Sequence, residues 1–146
     1  MGEITVVFDT NVFVSALGWN ENPERCLLYG LRGDIEMIVS PATVTELWRV
    51  LAYDHLPFTE SERIAFYHLV FHASTVITPD IDLSVSDDSD DDQFLEAATA
   101  GNADVLVSGD DHLLRLERYE DIEIVDPATF LEEWAPSGDG AADQGA

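Results

Sequence analysis

With 146 residues, 46% of them hydrophobic and 25% charged, the chain is sized for one domain with a core that needs no covalent staples. This excludes a large multidomain assembly and a chain disordered throughout. The 30 acidic residues face 6 basic ones, all arginine, for a formal net charge of −24 at pH 7. Cys26 stands alone, which excludes an internal disulfide and a cysteine-rich metal site. No apolar run approaches the roughly 20 residues needed to span a bilayer, and no signal-like segment opens the chain, so a soluble, cytoplasmic protein is expected.

Ile4 to Phe8 (ITVVF) is a continuous β-branched run, the pattern of a strand buried on both faces of a parallel sheet. Asp9 ends it. Asn11 to Leu17 reads as a short helix, and Pro23 to Leu31 as a second with Leu27, Leu28 and Leu31 on one stripe and Gly33 as its stop. Glu36 to Val39 is a short strand. Ser40-Pro41 then supplies an N-cap followed by proline at the first helical position, and Val44, Leu47, Trp48 and Leu51 form the apolar stripe. A capping box, Thr59 to Glu62, opens a helix carrying Phe66, Leu69 and Val70 that stops near His72. Thr75 to Ile77 is a weak strand.

The acidic stretch Asp80 to Asp92 leads into a helix at Phe94 to Ala100, ended by Gly101. Val105 to Val107 is a further buried strand, Leu113 to Leu116 a short helix, Ile122 to Val125 a strand, and Asp126-Pro127 opens a last helix through Trp134. Strands alternating with helices imply right-handed βαβ units and a parallel sheet covered on both faces. One domain over residues 1–135 is expected. The small, polar, acidic tail 136–146 is expected to be disordered.

Asp9 and Asp110 occupy matching positions just beyond strands, and ligands of open parallel sheets bind beyond the carboxyl ends of the strands. Asp91 shares the i, i+3, i+4, i+7 stripe of Phe94, Leu95 and Ala98, so it faces inward at the start of its helix, flanked by Asp88 and Asp92. Glu46 lies beside the apolar stripe of its own helix. Four carboxylates in a partly dry cleft repel one another unless a cation sits among them, and Mg²⁺ or Mn²⁺ suits such oxygen ligands. Each acid also has a purely structural alternative: Asp9 as a helix cap, Glu46 and Asp91 as solvated surface acids, Asp110 as a turn former.

Asp9-Thr10-Asn11 after the first strand, Ser40-Pro41 through Thr45-Glu46-Leu47, Asp88 through Leu95, and Ala103 through Asp110 resemble, in order and spacing, the four acidic motifs of PIN-domain nucleases. The resemblance covers residues 4–134. It implies an α/β fold, a three-layer α/β/α sandwich around a central parallel β-sheet. It also implies divalent-metal-dependent hydrolysis of RNA by an endoribonuclease, often the toxin of a VapC-type toxin–antitoxin pair, with an antitoxin as partner and a homodimer as the expected assembly. Carried onto this chain, Asp9, Glu46, Asp91 and Asp110 become the catalytic, metal-binding quartet, with Asn11 and Ser108 orienting them and Asp88, Asp92 and Asp111 in support. The third-motif ligand is open between Asp91 and Asp92. Where such families often carry a further acid two positions after the last motif aspartate, this chain has His112.

The acid surplus and the lack of lysine resemble the proteins of salt-in halophiles, whose self-repulsion is screened over about 3 Å at 1 M salt against roughly 10 Å at 0.1 M. A strongly acidic protein repels RNA, so Arg49, Arg115 and Arg118 are the candidate RNA contacts, with surface ion pairs as their alternative, and activity is expected to rise with salt before it falls. The lack of lysine excludes receiver and haloacid-dehalogenase chemistries. The acidic run fails the EF-hand pattern, having Gln93 and Thr99 where Gly and Glu are needed. His68 and His72 lack the HExxH glutamate, and Cys26, among leucines, reads as core. A catalytically silent RNA-associated or partner-binding module of the same fold is the alternative function. A DNA flap nuclease needs more substrate-gripping length than this chain offers.

Overall fold

The computed structural model describes residues 3–53, 55–85 and 89–136. The expectations for Asp88 and for the tail beyond Pro136 therefore fall outside the described residues. The chain begins with strand β1 (Thr5–Phe8), helices α1 (Thr10–Leu17) and α2 (Glu21–Arg32), and strand β2 (Glu36–Val39). Helices α3 (Pro41–Leu51) and α4 (Glu60–Ala73) and strand β3 (Ser74–Val76) follow. The second half holds α5 (Ser89–Ala100), β4 (Val105–Val107), α6 (Asp111–Leu114), the strands β5 (Arg118–Tyr119) and β6 (Ile122–Val125), and α7 (Pro127–Glu133).

The six strands form one sheet in the order β3-β2-β1-β4-β6-β5. All neighbours pair in parallel except β5, which runs antiparallel to β6 at the edge. Because side chains alternate across a strand, β1 sends Val6 and Phe8 to one face and Val7 to the other. Val6 and Phe8 join Met37, Val105, Val107 and Val125 in a core closed by side chains of α1, α2, α3, α4 and α7. Val7 joins Ile38, Leu106 and Ile124 in a second core closed by Phe94, Leu95 and Ala98 of α5 and Leu113 of α6. The result is a helix–sheet–helix sandwich with a mostly parallel sheet, the expected fold class. Phe8 meets Phe13 and Phe130 edge-on at 5.7 and 6.3 Å between ring centroids, pinning α1 and α7 to the end of β1.

Local details depart from the sequence reading for identifiable reasons. Helix α5 begins at Ser89, not Phe94; acidic residues in a first turn are favoured by the helix dipole, so the acid-rich run enters the helix. The short antiparallel β5 was not expected: two residues carry no periodicity. Trp48, Leu69 and Leu28, placed on apolar stripes, are 45%, 51% and 42% exposed. In each helix the buried stripe is narrower than the run of apolar residues, and only residues such as Phe66 and Val70, four apart, reach the core. Trp48 instead meets Tyr67 edge-on at 4.9 Å across the α3–α4 seam. Among the described residues no helix is long and apolar enough to cross a membrane.

Candidate functional site

Strand β1 has β2 on one side and β4 on the other, so the chain reverses its direction of travel across the sheet between β1 and β4. Such a switch point opens a crevice at the carboxyl ends of the strands. The ends are locked together there: Asp9 N–H donates to Val107 O at 3.0 Å, and Ser108 N–H to Val125 O at 2.9 Å. Asp9 and the Ser108-Gly109-Asp110 turn are thereby delivered to one edge.

Asp9 is 3% exposed. It caps α1, its Oδ1 accepting from Val12 N–H at 3.0 Å, while the Ser108 hydroxyl donates to its Oδ2. The same hydroxyl oxygen accepts from Asp110 N–H at 2.9 Å, so Ser108 couples the two acids. Burial pushes the Asp9 carboxyl above its ordinary value and the negative charge of Asp110 adds to the effect; donation from Ser108, Val12 and Gly109 opposes it. A carboxylate buried beside another carboxylate gains from a nearby cation.

Asp110 caps α6, its Oδ1 accepting from His112 N–H at 2.7 Å and Leu113 N–H at 3.4 Å. The structural alternatives for Asp9 and Asp110 are thus real roles, and they fix the carboxylates at the crevice instead of removing them from it. Asp91 lies on the inward stripe of α5 as its spacing predicts, 7% exposed beside the buried Phe94 and Leu95.

Ligand-capable atoms of Asp91, Asp110 and His112 lie within 4.8 Å of one another. His112 Nδ1 stands 3.6 Å from Asp110 Oδ1 and 4.0 Å from Asp91 Oδ2. Both distances exceed hydrogen-bond length. Both are short enough for one ion bonded at roughly 2.1 Å to reach the two atoms, since opposite ligands then stand about 4.2 Å apart. Two carboxylates and an imidazole are a fitting donor set for a divalent cation.

Glu46 and Asp9 stand outside that set of three. Glu46 reaches α5 through Gln93, whose side-chain amide donates to its Oε1, so the second-motif acid is tied to the helix that carries Asp91. Asp92 is buried, and its Oδ1 accepts from Val85 N–H at 3.1 Å, anchoring the segment before α5. Asp111 is exposed in the first turn of α6. Asn11 is exposed beside a cavity of about 230 Å³ lined also by Ser15, Gly109 and Pro127. All three arginines are exposed, and Arg118 also pairs with Glu123 at 3.0 Å on the β5–β6 hairpin.

His112 stands where the resemblance leads one to expect an acid, and an imidazole is a ligand in its own right. Cys26 is fully buried in the first core, where burial pushes its thiol up to about 12, as expected of a packing residue. His68 and His72 stack their rings at 5.9 Å on the exposed face of α4.

Comparison with known proteins bears on the fold and the family. An uncharacterized protein of Methanocaldococcus jannaschii, MJ1680, is 30% identical over 144 residues, spanning 90% of this chain and 92% of its own length. A chain from the crystal structure of VapBC2 from Rickettsia felis, bound to a DNA fragment from its promoter, superimposes with a TM-score of 0.59 at 14% identity. That match covers 83% of this chain and 97% of the other, and it is a likeness of fold. The model of the PIN domain matches residues 5–112, a span running from the first strand through Asp9, Glu46, Asp91 and Asp110 to His112, and the chain belongs to that family.

Proposed function

We propose that this protein is a divalent-metal-dependent endoribonuclease, the toxin of a toxin–antitoxin pair, working in a salt-rich cytoplasm with Mg²⁺ or Mn²⁺ as its ion. The observation that carries the reading is the meeting of Asp91, Asp110 and His112 at the sheet's switch point, next to the buried Asp9. A cation bound there would lower the pKa of a water and neutralise charge gathering on a phosphodiester. Asp9, Asp91 and Asp110 would hold it, with Glu46 offering a further carboxylate from α3. Ser108 keeps Asp9 and Asp110 in fixed relation, and the caps on α1 and α6 restrict the rotation of both carboxylates. Pre-set ligands of this kind lose little entropy on binding.

The likeness of fold to a chain of VapBC2 supports an antitoxin as partner; the homodimer rests on the family resemblance. Arg49, Arg115 and Arg118 remain the candidate RNA contacts, Arg118 from a surface pair with Glu123 that RNA can displace. The test is cleavage of labelled RNA by the purified protein in Mn²⁺ and in Mg²⁺, at 2 M KCl. Cleavage in the wild type, its loss on chelation, and a fall of at least about a hundredfold in Asp110→Asn are expected. Unchanged cleavage in Asp110→Asn, or none in a wild type that still binds RNA, would favour the silent binding module.

A further inference from the structure

We infer that His112 is a nitrogen ligand that sets the ion preference of this centre, favouring divalent transition-metal ions over Mg²⁺. The inference rests on the metal-centre reading above and adds to it the identity of a ligand and its consequence. The backbone of His112 is fixed by the Asp110 cap, since its N–H donates to Asp110 Oδ1 at 2.7 Å. The ring turns Nδ1 toward two carboxylates at once, at 3.6 and 4.0 Å. An imidazolium pairing with a carboxylate closes to hydrogen-bond distance, about 2.7–2.9 Å. Here the ring stands beyond that distance from both acids, which leaves room for an ion between them. The His112 side chain is 43% exposed and that of Asp91 11%, so the ring closes the solvent side of a site whose floor is carboxylate.

The chemistry follows from the donor. Mg²⁺ is hard, keeps its water and takes oxygen ligands. Later divalent ions bind imidazole increasingly well along the series from Mn²⁺ toward Cu²⁺. Replacing an acid by histidine lowers the negative charge offered to Mg²⁺ and supplies a nitrogen that Mn²⁺, Co²⁺ and their successors accept. The site is therefore tuned away from the commonest cellular divalent ion.

The experiment uses the full chain, stripped with chelator and kept in 2 M KCl to suppress binding by surface acids. Mn²⁺ is added and directly bonded ¹⁴N is sought by electron spin-echo modulation, while Mn²⁺ and Mg²⁺ affinities are measured by calorimetry. Wild type is compared with His112→Asp, His112→Ala and Asp110→Asn, each checked for folding by circular dichroism. Nitrogen modulation in the wild type, its absence in both His112 variants, and a fall of about tenfold in the Mn²⁺ to Mg²⁺ affinity ratio in His112→Asp are expected. Mn²⁺ bound without nitrogen modulation and lost in Asp110→Asn would overturn the role of His112 and leave the centre standing. Wild-type Mn²⁺ binding unaltered by Asp110→Asn would overturn the centre and this inference together.

Discussion

Asp9 carries a cost that its surroundings only partly offset. Its carboxylate is buried, repelled by Asp110, and stabilised by donors from Val12 and Ser108. A group whose folded pKa is raised favours the folded state while protonated, and loses that contribution as pH climbs past its ordinary value. At neutral pH without metal, ionised Asp9 therefore weakens the fold. Asp9→Asn keeps an oxygen for the Val12 cap and removes the charge. It is expected to raise the melting temperature of the chelator-treated protein at pH 7 while abolishing the further rise that Mn²⁺ gives the wild type, both read by calorimetry. A variant that melts below the wild type without metal would count against this account of Asp9. The inward position of Asp91 was legible because helical periodicity alone decides it. The part played by His112 was not: it depends on a ring orientation that no spacing records.

At the scale of elements, the caps carry much of the local definition. Ser40 and Thr43 form a reciprocal box at the start of α3, with Thr43 N–H donating to Ser40 Oγ at 3.1 Å and Ser40 N–H to Thr43 Oγ1 at 2.9 Å. Both residues are buried. Ser40→Ala is expected to cost about 1–2 kcal/mol in urea unfolding with an unchanged m value. Because α3 carries Glu46 toward Gln93, the same variant tests whether the second-motif acid depends on that helix being well seated. The helix starts at Ser40, Thr59 and Asp126 and the stop at Gly33 were readable, since a cap is local chemistry. The start of α5 and the existence of β5 were not. The first lies in a run of acids whose composition argues equally for loop and first turn; the second is held only by its pairing with β6. Likewise, which apolar residues of α3 and α4 face the core depends on the helices they meet: Val70 is buried and its neighbour Leu69 is not.

For the molecule as a whole, net charge sets the conditions under which fold and site can work. A formal −24 on 146 residues opposes compaction and repels RNA, and both effects shrink as the screening length falls from about 10 Å at 0.1 M salt to about 3 Å at 1 M. The melting temperature is expected to rise between 0.1 and 2 M KCl, and RNA cleavage to rise over the same range before declining; a steady loss of both from low to high salt would contradict a salt-adapted surface. The parallel sheet was foreseeable from alternating strands and helices; its strand order, and with it the switch point, was not. They bring residues 9, 91, 110 and 112 to one edge from distant parts of the chain. A divalent cation held at this edge can be located by anomalous diffraction from crystals grown with Mn²⁺. A manganese peak bonded to Asp91 and Asp110, with His112 and Asp9 completing its protein ligands, is expected; a fully loaded protein whose manganese lies elsewhere would contradict this.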